Sequence, residues 1–254
     1  MKNLQIVFSK PVISFLSFKN IRNLITGIGA LSALCLFPNQ AQAILTNSSF
    51  ETGDFTGWSV SDLTAPFYAL RVDTAGQSPG FGLFTSAPTD GSFAALHGFD
   101  GGGPGTISIA QDITVPNSGA VMEFDWRVGY DMSFGATATQ DRLFNVNINQ
   151  TDGGTNLASF NIFTTDIANN LTVTDSGSQT SSVDLTAFAG QDVQLSFDAF
   201  IPENLTGPGF FQLDNVRATS TSVPFEFSPT LGILAVGSIF GLSRLRKKAV
   251  KLDK

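Results

Sequence analysis

An antiparallel β-sandwich of about ten strands is the expected fold for the middle of this 254-residue chain. Three observations predict it. Apolar residues recur with period two rather than 3.6 through most of residues 44–218, glycine- and asparagine-rich turns separate the alternating runs, and the uninterrupted apolar stretches lie near the two ends. The fold class is therefore all-β, a sandwich of jelly-roll topology, flanked by an N-terminal signal helix and a C-terminal hydrophobic helix.

Residues 1–43 read as a signal peptide. Lys2, Lys10, Lys19 and Arg22 precede an uncharged stretch from Leu24 to Phe37, and Ala41-Gln42-Ala43 supplies the small residues of a cleavage site. Cys35, the only cysteine, would leave with this segment, so no disulfide can support the mature chain. Residues 44–218 are long enough to form one domain with its own interior.

Within that domain, Met122, Phe124, Trp126, Val128 and Tyr130 alternate with Glu123, Asp125, Arg127 and Gly129, the pattern of a strand buried on one face. Phe144, Val146 and Ile148 alternate with Asn145, Asn147 and Asn149, and Val193 to Ile201 repeats the pattern with Gln194, Ser196 and Asp198 outside. Weaker patterns mark strands at 44–51, 66–72, 92–98, 105–113, 156–163, 171–174 and 209–219. Asp90-Gly91, Pro116-Asn117-Ser118-Gly119, Asp152-Gly153-Gly154 and Gly207-Pro208-Gly209 supply the turns. Residues 76–88 show no period and read as a loop over one end, with Phe81 and Phe84 expected to plug the core.

Residues 219–226 form a linker, and 227–254 a tail. No charge occurs between Phe227 and Ser243, a span at the short end of the roughly 17–25 residues that cross a bilayer, and Arg244, Arg246, Lys247 and Lys248 follow it. Basic residues behind an apolar helix stay on the cytoplasmic side, so the domain is expected outside and the inner membrane is the tail's partner through 227–243.

Charge narrows the function further. Residues 44–222 carry four arginines, no lysine and nineteen carboxylates, an excess of fifteen negative charges. Such a surface repels nucleic acid, whose binding depends on lysine and arginine, and it suits an exported domain or one that gathers divalent cations.

Catalytic groups are scarce. His97 is the sole histidine, at the end of a strand pattern, where an ordinary structural role is the simpler reading. Glu123, Asp125 and Asp131 are the nearest approach to a carboxylate cluster, but the first two share the polar face of a strand. No catalytic residue is assigned. Sugar binding needs aromatic faces beside hydroxyl-bonding polar groups, and Trp58, Tyr68, Trp126 and Tyr130, with His97 and the 97–104 loop, are the candidates for ligand contact. Trp126 and Tyr130 share a face with Phe124, which equally fits core packing.

Two stretches carry a family likeness. Asn47-Ser48-Ser49-Phe50-Glu51-Thr52-Gly53-Asp54-Phe55-Thr56-Gly57-Trp58 resembles the opening of carbohydrate-binding-like jelly rolls, and Phe211-Gln212-Leu213-Asp214-Asn215-Val216 resembles their closing strand. The signal, sandwich and tail together resemble the PEP-CTERM class of exported bacterial proteins in its cyanobacterial form, with Pro224-Phe225-Glu226 where the name-giving motif has Pro-Glu-Pro. The resemblance implies a structural calcium with Glu51 and Asp214 as side-chain ligands, and export machinery and a sorting protease acting near 224–226 as partners. It implies a non-enzymatic envelope or extracellular-matrix protein that contacts polysaccharide. A purely structural or adhesive surface protein and a polysaccharide hydrolase remain the alternatives.

Overall fold

The structure, a computed structural model, describes residues 45–98 and 102–220. The expected signal peptide, sorting motif and tail lie outside the described residues. Among those described, no helix is long and apolar enough to cross a membrane.

Among the described residues, eleven strands form two antiparallel sheets. They are β1 (Ser59–Ser61), β2 (Arg71–Thr74), β3 (Phe93–Gly98), β4 (Gly105–Thr114), β5 (Ala120–Asp131), β6 (Leu143–Asn149), β7 (Asn156–Thr164), β8 (Thr172–Val173), β9 (Gln179–Asp184), β10 (Asp192–Ile201) and β11 (Gly209–Ser220). One sheet has the order β1-β4-β10-β6-β7 and the other β2-β3-β11-β5-β8, with β9 also paired to β5. The chain changes sheet between β1 and β2, β3 and β4, β4 and β5, β5 and β6, β7 and β8, β9 and β10, and β10 and β11, which is the jelly-roll habit.

The alternation in sequence becomes the interior. Phe124 and Val128 from β5, Phe144, Val146 and Ile148 from β6, Val193, Leu195 and Phe197 from β10, and Phe211 and Leu213 from β11 are fully buried between the sheets. Aromatic rings bridge the layers: Phe144 stacks on Phe211 with centroids 3.6 Å apart, and Phe124 meets Phe197 edge-on at 5.0 Å. The outer face of the first sheet is polar, as period two requires. There Asn145, Asn147 and Asn149 pair with Asn161, Ser159 and Asn156 across β6 and β7.

Two expectations need correction. Residues 45–51 are not a strand. They turn, with Asn47 and Phe50 at positive φ, Phe50 N donating to Asn47 O and Gly53 N to Phe50 O, so Phe50 enters the core from a turn. The expected strand 66–72 shrinks to β2, because Asp62 accepts Leu63 N and Leu70 N and folds the preceding segment into a loop. Val216 N reaches Ser48 O at a β-bulge in β11 where Asn215 has φ of 50°. The opening and closing motifs therefore do meet.

Candidate functional site

The residues proposed for ligand contact are positioned by the core. Trp58 packs on Phe50 at 5.5 Å and donates its indole N–H to Asn47 O. Trp126 lies parallel to Phe211 at 5.6 Å and donates to Ser181 Oγ. Tyr130 packs on Phe163 and donates to Asn170 O. All three are buried, as is Tyr68, which donates to Asp73. His97 is wholly enclosed between the rings of Phe144 and Phe211. None of these five side chains offers an open face to a ligand, because each fills the space between the sheets or beneath a loop.

Different aromatics are exposed, on the loops at the end of the sandwich where β5 and β10 finish and β11 begins. Phe67 is 70% exposed, Phe134 57% and Phe81 42%. Their rings form a chain, Phe67 to Phe81 at 5.1 Å and Phe81 to Phe134 at 5.5 Å, inclined by 59° and 67°. Phe81 also stacks on buried Phe210 at 6.3 Å, and Tyr68 braces Phe210 edge-on at 5.3 Å. Phe81 was expected to plug the core. Only Phe84 does so, under the Arg127 guanidinium, which lies 5.3 Å from its ring.

These rings line a cleft of about 1050 Å³ whose other wall is Asn204, Leu205 and Gly207, with Gly102 and Gly103 from the 97–104 loop beside it. Among the described residues its polar side chains are Thr64 and Asn204, and no charged residue lines it. The walls are fastened from behind. Glu203 accepts Thr139 N, Thr139 Oγ1 and Gln140 N, and these bonds hold its carboxyl below the usual range. Buried Arg142 donates to Thr206 O, to Gly207 O at 2.9 Å and to Thr206 Oγ1. Gly207 N donates to Phe134 O and Ala136 N to Leu205 O, joining the two loops. Phe81 and Leu205, with φ of 59° and 58°, hold their side chains outward from left-handed backbone, a conformation that costs a non-glycine residue about 1 kcal/mol or more. Beneath the cleft, burial and then Asp73 push the Tyr68 phenol up to about 12, while the Arg71 guanidinium covers its ring at 3.9 Å.

A second constellation surrounds the turn 89–93. Asp214 accepts Thr89 N at 2.6 Å, Asp90 N at 3.1 Å and Asn215 N at 2.7 Å. Glu51 accepts Ser92 N and Phe93 N, and Ser49 donates to Asp90 Oδ2. Asp214 is fully buried, and burial raises its carboxyl above the usual range. Glu51, Asp90 and Asp214 thus bind one turn, and among the described residues no arginine forms an ion pair with any of them. Carboxylate and hydroxyl oxygens are the donor type a hard cation takes. Among the described residues there is nevertheless no group of three or more acidic, histidine or cysteine side chains arranged to hold a metal ion.

The acids considered for hydrolysis do not converge. Glu123 pairs with Arg217 at 3.0 Å, Asp125 accepts Thr180 Oγ1 and Asn215 Nδ2, and Asp131 accepts Ser133 N and Oγ at the far end of β5. At about 3.3 Å per residue, Glu123 and Asp131 stand roughly 26 Å apart along the strand. Asp125, expected on a solvated face, is instead buried beside the 89–93 turn.

No protein-family model and no curated relative matches the chain. Solved structures that resemble it include the module TmCBM61 in complex with β-1,4-galactotriose, at 17% identity over 71% of this chain and 100% of that one, with a TM-score of 0.45. The K1 cleaved adhesin domain of Lys-gingipain from Porphyromonas gingivalis is 15% identical over 68% of this chain and 96% of that one, with a TM-score of 0.43. CBM28, a carbohydrate-binding module specific for non-crystalline cellulose, is 15% identical over 70% and 95%, with a TM-score of 0.43. Likenesses this distant transfer no ligand.

Proposed function

We propose that this chain is an exported, non-enzymatic envelope or matrix protein that contacts polysaccharide through the loop-end cleft. The observation that carries the reading is the chain of exposed rings Phe67, Phe81 and Phe134 lining a cleft that, among the described residues, no acid, imidazole or thiol enters. Solvent-facing aromatic rings on braced loops lower the folding stability they could have gained by burial, and they suit the apolar parts of a sugar. A hydrolase would need two carboxylates across the cleft, and among the described residues its lining has none.

Export would follow from the signal in residues 1–43, and anchoring or sorting from residues 219–254. β11 begins at the cleft and ends at Ser220. At about 3.3 Å per residue the two ends lie roughly 36 Å apart. We also propose that calcium bound by Glu51 and Asp214 stabilises the turn 89–93. When bound it would supply the positive charge that these carboxylates lack.

The test is binding of the full chain to a panel of neutral and acidic polysaccharides by affinity electrophoresis, alongside Phe67→Ala and Phe134→Ala. Retardation by at least one polymer, reduced tenfold or more in either variant, is expected. No retardation by any polymer refutes the reading.

A further inference from the structure

Resting on that reading of the cleft, we propose that its ligand is a neutral glycan containing 6-deoxyhexose residues, with the C6 methyl group inserted among Phe67, Phe81 and Phe134. Three features of the lining point there.

The first is the scarcity of hydrogen-bonding partners. Thr64 and Asn204 are the polar side chains of the lining, set among phenylalanines, Leu205 and prolines. A buried hydroxyl without a partner is penalised more than a partnered one is rewarded, so a cleft this apolar favours the sugar with fewer hydroxyls. Replacing the C6 hydroxyl by hydrogen removes the most projecting polar group of a hexose and leaves a methyl group. An O-acetyl group would also be apolar at its tip, but its carbonyl adds an acceptor that the lining is poorly equipped to meet.

The second is charge. Uronate and sulfate sugars need a cation, and the four arginines of the domain are engaged elsewhere. Arg71 pairs with Asp73, Arg127 with Asp175 and Arg217 with Glu123, while Arg142 is buried against the carbonyls of 206 and 207. The domain's fifteen excess negative charges oppose any anionic polymer that approaches.

The third is shape. Coplanar rings would form a platform for the flat face of an extended chain. Here successive rings are inclined by 59° and 67°, and Phe81 is fixed on Phe210 behind it. Such rings make a cup that encloses a protruding group from several sides, which suits a methyl group better than a flat pyranose face.

Saturation-transfer NMR titrations of the full chain with methyl α-L-rhamnopyranoside and methyl α-L-mannopyranoside test this, since the two differ only in hydrogen or hydroxyl at C6. Polygalacturonate serves as the acidic probe. The rhamnoside is expected to bind at least tenfold more tightly than the mannoside and to lose tenfold or more in Phe81→Ala, with no binding of polygalacturonate. Because Phe81 also supports Phe210, the exposed Phe134→Ala variant is the second probe, with the same loss expected. Equal affinities, or preference for the uronate, with sensitivity to both variants would overturn the deoxy-sugar assignment and leave the glycan cleft standing. A rhamnoside preference unmoved by either variant would place the site elsewhere and overturn it too. If neither glycoside nor polygalacturonate binds, this assignment fails, and the proposed function fails with it only where affinity electrophoresis also shows no retardation by any polymer.

Discussion

His97 provides a quantitative test of the core, because acidification should destabilise this protein through a single buried imidazole. The side chain has no exposure, and neither ring nitrogen has a hydrogen-bond partner among the described residues. Its closest aromatic neighbours are Phe144 at 6.0 Å and Phe211 at 5.8 Å, and burial depresses its pKa to about 3. In the unfolded chain the same group titrates near 6.5. A depressed histidine contributes stability that is complete above the unfolded value and is lost as pH falls toward the folded one, because between them the unfolded state binds a proton that the folded state refuses. The loss approaches about 1.4 kcal/mol per pH unit and amounts to roughly 2.7 kcal/mol at pH 4.5 relative to pH well above 6.5. Urea unfolding of the full chain and of His97→Leu at pH 7.5, 5.5 and 4.5 measures it. Carboxylates such as Asp175, held below the usual range first by its bond from Arg127, titrate in both proteins and cancel in the comparison. At pH 7.5 the variant should match or exceed the parent, since a buried polar group without partners is replaced by an apolar one. Its advantage should then widen with acid at the slope given. Parallel stability profiles would refute the assignment of a neutral, enclosed imidazole.

Three further outcomes are expected. Arg142→Met removes the donors to the carbonyls of Thr206 and Gly207 and should lower stability by about 3 kcal/mol, read as a fall in melting temperature of roughly 6–12 °C. It should also weaken glycan binding, because the Leu205 wall loses its brace; unchanged melting would show that the guanidinium is not a fastener. Gly91→Ala forces a side chain into backbone with φ of 66° and against the Glu51 carboxylate, so urea unfolding should report a loss of about 2 kcal/mol, and a loss under 0.5 kcal/mol would mean that Glu51 does not clasp the turn. Chelation of calcium should lower the melting temperature of the parent by several degrees and leave Asp214→Ala unaffected, and a parent insensitive to chelation ends the calcium proposal.

The fold was readable where burial is one-sided and regular. β5, β6 and β10 each present an apolar row at every second position, and each became a strand with that row inside. β9 escaped notice because Gln179–Asp184 buries only Val183, too little for a period to show. Residues 45–51 misled because Phe50 is apolar and buried, yet local bonds from Phe50 N and Gly53 N close turns there. The meeting of 47–51 with 214–216 was legible through resemblance alone. The cleft was less legible. Phe81 and Phe84 lie three residues apart in one loop with the same chemistry, and their fates divide only because Arg127 covers one while Phe210 carries the other at the surface. Residues 67, 81, 134 and 205 come from separate loops, so no spacing rule links them.

The two strained residues of the cleft explain why such a surface persists. In a loop selected for stability alone, backbone at φ near 58° would be occupied by glycine or asparagine, and a large apolar side chain would turn inward. Phe81 and Leu205 violate both preferences, since they occupy left-handed backbone and leave 42% and 73% of their surface in water. Neither feature contributes to folding. The surrounding structure nevertheless enforces them, through Phe210 behind Phe81 and through Arg142 and the bond from Ala136 N around Leu205. Backbone strain that packing maintains while displaying an apolar side chain is of the kind that clusters at functional sites, and the proposed glycan contact supplies the compensating interaction. The bracing behind the cleft keeps the rings in place before the proposed ligand arrives.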